Sequence, residues 1–448
     1  KAQSELLSGV STNLPDHRGM LRLTKFISEH TSEFWEQVKH KQTLRLFHRA
    51  SRHVPAYRDF LLRNKIDPTK VKTIKDLGVV PPITKDNYLR AYPLEDLTWS
   101  GSLTKPLVYT ATSGSTGDPV YFHRSQRVDW QSSILHEMYY ALSPQAAGST
   151  LVVVCFGMGV WIGGLITYQA FRLMQERGYP ISTITPGINK EEIFKALKNL
   201  APHYRQVLLV GYAPFIKDVI DEAPEHDIDI RKLNLRLLFA AEPFSEDFRD
   251  YMVRQANLGS PYLDTANIYG SADLGTMAME TPLAILVRRL CRQHNTLFNS
   301  LFQNIEKTPT LAQYIPSFLS FEAEAGNLII TGDNSLPLVR YSIGDHGGVY
   351  SFNELGQKLA AAGVDLWKEA KAVGLDQHWQ ELPFVYVYER ADFSTTLYGL
   401  QVYPEPIRDI LLKKPLSNYL TGKFNLETTF DQGQDQHLGI NLELRKNR

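Results

Sequence analysis

The stretch Tyr109–Arg124 reads YTATSGSTGDPVYFHR. It is entered through Leu107, Val108, Tyr109 and Thr110, residue types that suit a strand. A polar run follows, from Thr112 through Ser113, Gly114, Ser115, Thr116, Gly117 and Asp118 to Pro119, and then a second strand-like piece, Val120 to His123. Glycines let a backbone come close to a ligand, and successive amide donors in such a loop form an anion-binding nest. The Ser and Thr hydroxyls add donors. The same composition also marks an ordinary hairpin turn. No Lys-Ser or Lys-Thr follows the second Gly, and a strand comes next, so this is not a Walker A loop. A loop of this kind can grip phosphate oxygens without a fixed positive charge.

On the N-terminal side, Thr31 to Val54 carries Phe34, Val38, Leu44, Leu46 and Phe47 at roughly helical spacing, and Pro55 predicts the helix end by forcing Val54 out of helical geometry. Beyond the loop, apolar runs alternate with helical patterns. Leu151–Cys155, Ile181–Ile184, Gln206–Val210, Leu235–Ala241 and Ala266–Tyr269 read as strands. Trp161–Arg177, Lys190–Leu200 and Pro214–Glu222 read as helices, and Ser245 caps another, with Glu246 and Asp247 in its first turn. Such alternation predicts a largely parallel sheet covered by helices. Asn327–Thr331 and Leu338–Tyr341 add strands, and Asn353–Ala362 a helix within an insertion over 351–382. From Pro383 onward, short strands (Phe384–Tyr388, Thr395–Leu397), one helix (Pro404–Leu412) and a final pair (Phe424–Phe430, His437–Leu444) predict a small α+β unit. The expected organisation is α/β: a large N-terminal domain of alternating strands and helices over 1–388, with 1–105 a helical lead-in, and a small C-terminal domain over 389–448.

The chain has 448 residues, 43% apolar and 21% charged, enough for a real core and more than one domain. Its 48 basic and 48 acidic residues cancel, which argues against a chain-wide attraction to nucleic acid or anionic membrane. No apolar run is long enough to span a bilayer. The two cysteines, Cys155 and Cys291, are far apart, outside any zinc-ligand spacing, and read as reduced thiols of a cytoplasmic protein. The start lacks both a signal-peptide pattern and an initiator Met, so the natural terminus is expected upstream.

Four further islands carry candidate chemistry. In Ile268-Tyr269-Gly270-Ser271-Ala272-Asp273 a strand ends in an aromatic residue able to stack on a planar ring, and a turn presents a carboxylate able to take Mg²⁺; the plainer reading is a strand-to-helix turn capped by Asp273. In Arg340-Tyr341-Ser342-Ile343-Gly344-Asp345 a carboxylate on a Gly turn can accept both hydroxyls of a ribose. Glu389-Arg390-Ala391-Asp392 falls at the domain boundary. Phe239-Ala240-Ala241-Glu242-Pro243 leaves room for a flat ligand beside a strand end. Thr281–Gln303 carries Arg288, Arg289 and Arg292, either a basic face for an anion or, more plainly, a solvated amphipathic helix.

In this order and spacing, the islands and the loop resemble the acyl-adenylate-forming enzymes, and within them the phenylacetate–coenzyme A ligase family. Ile83-Thr84-Lys85, Phe156-Gly157-Met158-Gly159 with Gly163-Gly164, and Gly399 to Pro404 extend the resemblance over roughly residues 30–412. It implies a large multi-sheet domain and a small mobile one with the active site between. It also implies two steps: a carboxylic acid attacks the α-phosphate of ATP to give acyl-AMP and pyrophosphate, and coenzyme A then displaces AMP. By resemblance, Ser113, Gly114, Ser115, Thr116 and Gly117 hold phosphates. Glu242, Pro243, Tyr269 and Gly270 lie beside the adenine. Asp345 holds the ribose, Arg390 serves ribose and phosphate and acts in catalysis, and Asp392 is the hinge. Asp273 acts in catalysis and binds Mg²⁺. Phe156, Met158, Trp161 and Tyr212 are candidates for an apolar acyl pocket. Expected partners are a small-molecule carboxylic acid, aryl or otherwise apolar, with ATP, Mg²⁺ and coenzyme A. Transfer to an amine or a carrier-protein thiol, or a catalytically impaired nucleotide-binding homologue, are the alternatives. A homodimer is compatible with the family, but the sequence does not fix the oligomeric state.

The sequence departs from the family pattern at several positions. Asp273 stands where the family has Glu, Ser342 where it has Arg, and Val120 where many members have Lys. The family's C-terminal catalytic lysine has no clear counterpart: Gly422-Lys423 reads as lying before the last two strands, too early for that motif, and Lys446 lacks its flanking pattern. The small domain is therefore expected to be incomplete or the adenylation step impaired.

Overall fold

The computed structural model describes residues 25–104, 108–111, 120–159, 162–302, 308–333, 336–390, 395–398, 400–402, 407, 410–411, 414–416 and 419–444. The organising unit is an 11-stranded sheet. In chain order, β1 (Val108–Ala111) and β2 (Tyr121–Arg124) form a separate hairpin. Then come β3 (Thr150–Cys155), β4 (Ile181–Ile184), β5 (Gln206–Gly211), β6 (Leu235–Ala240), β7 (Thr265–Ser271), β8 (Gly275–Met279), β9 (Thr310–Gln313), β10 (Leu319–Glu324), β11 (Asn327–Asp333), β12 (Pro337–Tyr350) and β13 (Phe384–Arg390). The sheet order is β10-β11-β12-β13-β9-β8-β7-β6-β5-β3-β4. Two further antiparallel pairs follow, β14 (Thr395–Leu397) with β15 (Leu400–Val402), and β16 (Leu420–Phe430) with β17 (Gln436–Leu444).

The parallel part is β4-β3-β5-β6-β7. Its strands are continuous apolar runs because both faces are covered. Val152, Val154, Leu208, Val210 and Leu238 point into a core shared with the helices Gln126–Tyr140 and Ile162–Glu176. Their neighbours Leu151, Val153, Leu209, Leu237 and Phe239 point into a second core shared with the helices Lys190–Asn199, Ala213–Glu222 and Glu246–Ala256. The two-residue side-chain period of a strand thus builds a helix–sheet–helix sandwich.

The sheet is less parallel than the sequence pattern implies. From β7 through β8, β9, β13, β12, β11 and β10 every pairing is antiparallel. After Gly270 the chain turns straight back as β8, so Asp273 lies in a strand-to-strand turn and caps no helix. Gly270 is required there, since a Cβ would stand 2.9 Å from the Gly275 carbonyl oxygen. β13 belongs to this large sheet, between β12 and β9, not to the small C-terminal unit. The expected helix at Pro404–Leu412 falls mostly outside the described residues.

The helix Ser32–His53 ends where Pro55 requires: Val54 is extended, and Pro55 starts the helix Pro55–Arg63. Farther along, the helix Pro282–Gln293 is neither a solvated face nor a free basic one. Arg288 is fully buried and pairs with Glu280 and with Glu246, the latter at 3.2 Å. Arg249, also fully buried, bonds Glu280 at 2.8 Å and Glu246 at 2.9 Å. Arg289 and Arg292 bond Asp250 at 2.8 and 2.9 Å. Opposing carboxylates on the helix Glu246–Ala256 neutralise the arginine row, a pairing that one helix's periodicity cannot reveal.

A candidate active site at the carboxyl ends of the parallel strands

In open α/β sheets, ligands bind beyond the carboxyl ends of the strands. Here β3 runs into Phe156, β5 into Tyr212, β6 into Glu242, and β7 carries Tyr269 near its end. Ala241 takes a left-handed φ of +74°, a costly conformation for a residue with a Cβ, and this bend directs the chain into Glu242. Asn267 of β7 donates its side-chain amide to the Glu242 carbonyl at 3.0 Å and so fixes the segment against the neighbouring strand.

The Tyr269 phenol donates to a carboxylate oxygen of Asp345 at 2.5 Å, and its ring lies near-parallel to Phe321 at 6.0 Å. Asp345 in turn faces Arg390 across the β12–β13 pair. Three sequence islands therefore meet at one place through a side-chain contact and a strand register. Gly344, just before Asp345, takes φ +93°, so a residue with a Cβ would be strained there.

Glu242 is buried at 3% exposure. Burial raises its carboxyl to about 7, opposed by a hydrogen bond from the Gln436 side-chain amide at 2.8 Å. The Gln436 carbonyl oxygen accepts the Tyr398 backbone N–H at 2.9 Å, so one side chain joins the candidate adenine segment to the C-terminal strands. A second link lies nearby. The Lys217 ammonium, 3% exposed, bonds Asp221 at 2.7 Å and Asp435 at 2.6 Å.

Asp273 sits deep in the β7–β8 turn. Its Oδ2 accepts the Tyr341 hydroxyl at 2.6 Å and has the Lys85 ammonium at 3.8 Å. Lys85 arrives there because Ile83 joins β12 as an extra bridge: the Ile83 N–H donates to the Arg340 carbonyl at 3.0 Å, and the Ser342 N–H to the Ile83 carbonyl at 2.9 Å. Oδ2 is thus shared by an ammonium and a phenol, and no group of three or more His, Cys, Asp or Glu able to hold a metal occurs among the described residues; a Mg²⁺ held by one carboxylate with substrate phosphates and water needs no such group.

Phe156 and Tyr212 meet edge to face with centroids 5.0 Å apart. Gly164 packs so closely on this segment that a Cβ would stand 2.6 Å from both the Gly157 carbonyl oxygen and the Met158 sulfur. Met158 is exposed, whereas Phe156 is buried. Ser113, Gly114, Ser115, Thr116, Gly117, Trp161 and Asp392 lie outside the described residues, as does the side chain of Arg390. The stems of the Ser/Thr/Gly loop are described, and Phe122 of β2 packs in the same core cluster as Tyr269 and Tyr341. Gly422 and Lys423 lie inside β16, not ahead of it.

Sequence reasoning missed Gln436 as a site residue and gave Lys85 and Tyr341 no role. Both of the latter stood in quoted motifs, which was the available signal; Gln436 offered none.

No protein-family model and no curated protein matches the sequence. Solved structures do match the backbone. One is 2-hydroxyisobutyryl-CoA ligase in complex with 2-HIB-AMP and CoA in the thioesterification state, with a TM-score of 0.64 and 15% identity over 97% of this chain and 84% of that chain. The same ligase in the postadenylation state with R3-HIB-AMP gives 0.57 and 14% over 91% and 78%. Its open conformation gives 0.54 and 15% over 90% and 83%. The chain therefore has the mixed α/β fold of adenylate-forming enzymes.

Proposed function

We propose that the chain is an ATP-dependent, AMP-forming acid–CoA ligase of the phenylacetate–coenzyme A ligase type, acting on an aryl or other apolar acid. The observation that carries this reading is the 2.5 Å contact between Tyr269 and Asp345, which joins two distant islands at the strand ends beside Glu242. The likeness to a ligase solved with an acyl-AMP and CoA bound supports it.

In this reading Asp345 accepts the ribose hydroxyls, and the Tyr269 phenol fixes its carboxylate. Tyr269 and the Glu242–Pro243 segment flank the adenine. Arg390, opposite Asp345 in the β12–β13 pair, serves the ribose and α-phosphate. The loop at Ser113–Gly117 takes the phosphates with amides and hydroxyls, and Asp392 is the hinge. Phe156, Met158 and Tyr212 receive the acyl group. Asp273 is a positioning residue that holds Lys85 and Tyr341, and no step is routed through a metal. An oxygen of the acid attacks the α-phosphorus and pyrophosphate leaves with the P–O electron pair. The CoA sulfur then attacks the acyl carbon, AMP leaves, and the thiol proton passes to solvent. Such chemistry depends on positioning and charge stabilisation.

The test is pyrophosphate release with ATP, Mg²⁺ and a panel of aryl and alkyl acids, followed by thioester analysis with CoA. Silence across a broad panel refutes the ligase reading. Pyrophosphate release with an amide product and no thioester moves the acceptor to an amine. Tight ATP binding without turnover leaves a nucleotide-binding homologue.

A further inference from the structure

A second polar cleft lies at the far end of the β11–β12 hairpin. Asn327 faces His346, next to Asp345, whereas Asp333 closes the opposite end of β11. At ~3.3 Å per residue this puts Asp333 about 20 Å from the candidate site. The cleft is about 60 Å³ and is lined by Arg45 and Arg49 of the helix Ser32–His53, by Arg127 in the first turn of the helix Gln126–Tyr140, and by Ser317, Ser320 and Asp333.

Among its described lining residues, arginines outnumber carboxylates. Arg127 and Arg49 both approach Oδ2 of Asp333, at 2.7 and 3.4 Å, while the Trp99 indole N–H donates to Oδ1 at 3.0 Å. Both carboxylate oxygens are thus engaged. Arg49 is held in place by its 4.0 Å stacking on the Trp99 ring. Arg45 stands close enough to Arg127 to repel its charge and makes no ion pair among the described residues. Two guanidinium groups therefore share one carboxylate, and a third lines the same cleft. Ser317 gives the second, independent observation. It is 3% exposed, it lines the cleft, and its hydroxyl is buried with no hydrogen-bond partner among the described residues. An orphaned buried hydroxyl is costly unless a ligand or water completes it.

We infer that this cleft is a binding site for a small tetrahedral oxyanion, a phosphate or the phosphoryl end of a phosphate monoester. Guanidinium forks match the oxygens of a phosphoryl group, Arg45 has no ion pair among the described residues to compete for it, and Ser317 donates a further bond.

The experiment is calorimetric titration of the full chain with inorganic phosphate and with phenyl phosphate, each with and without saturating ATP. Wild-type protein binds phosphate in the presence of ATP. Arg45→Gln and Ser317→Ala weaken that binding by about five- to tenfold. Neither substitution alters the ATP affinity, and thermal unfolding confirms that both variants fold. Stronger binding of phenyl phosphate assigns the site to a phosphorylated molecule, and equal binding to free phosphate. A tungstate soak of crystals places density against Ser317. Phosphate binding that ATP abolishes, that both variants retain unchanged, or that is absent in wild-type protein overturns the inference and leaves an ion-paired staple holding water.

Discussion

Gln436 donates its side-chain amide to the Glu242 carboxylate across a sequence separation of 194 residues, at 2.8 Å. The bond ties the last strand of the chain to the bend after β6, so the titration of Glu242 is felt by both regions.

The sign of that titration is set by burial. The folded carboxyl titrates at about 7, against an ordinary value of 4.5. Between these two values the folded chain holds more protons than the unfolded chain, so stability falls as pH rises through this window and levels off above it. The full effect is on the order of 3 kcal/mol. Glu242→Gln removes this slope, and denaturant unfolding of both proteins at pH 5 and pH 8 measures the difference.

Asp345→Ala removes a charged acceptor, and nucleotide affinity is expected to fall by about tenfold or more, a loss of roughly 1.5–3 kcal/mol. Tyr269→Phe keeps the ring against Phe321 and loses only the phenol contact, so its effect is smaller, about 1 kcal/mol. Calorimetry with ATP and AMP separates the two. Equal affinity in Asp345→Ala and wild type removes Asp345 from the ribose.

Glu280 lies at 0% exposure between Arg249 and Arg288. Glu280→Ala leaves two buried guanidinium groups short of a partner and should destabilise the fold by about 3–5 kcal/mol. Asp247→Asn, at the exposed bond to Arg292, should cost less than about 1 kcal/mol. Urea midpoints give both numbers, and similar values would show that the buried network carries no special weight.

Asp435→Asn breaks the outer half of the Lys217 pairing and leaves the Asp221 half intact. Amide exchange in β16 and β17 is expected to accelerate several-fold, with β3 and β5 unaffected, on the order of 1 kcal/mol of local opening. Unchanged exchange would mean that the hairpin is held elsewhere.

The parallel half of the sheet was legible because Leu151–Cys155 and Leu235–Phe239 are continuous apolar runs, which only a strand covered on both faces needs. The antiparallel half was harder to read. Gly275–Met279 has little β-branching, and Thr310–Gln313 is too short for a period. The order of the Glu242, Tyr269 and Asp345 islands pointed to a single site, and the structure brings Tyr269 and Asp345 into contact. Lys85 and Gln436 reach the neighbourhood through tertiary pairing alone, Lys85 through the Ile83 bridge and Gln436 through the β16–β17 hairpin. Lys85 stood in the Ile83-Thr84-Lys85 motif, but local pattern carries no trace of Gln436.

The place of β13 in the sheet bears on how the protein is made. Every strand of the parallel half has been synthesised by Ser271, whereas β9 and β12 share β13 as their neighbour. At 5–20 residues per second, a ribosome needs roughly 4–15 s to travel from Gln313 to Arg390. During that interval β9, joined by β12 once Tyr350 has been added, presents a bare hydrogen-bonding edge inside a growing chain. Unprotected edges recruit other strands. Nascent protein stalled short of Phe384 is therefore the form most in need of a chaperone.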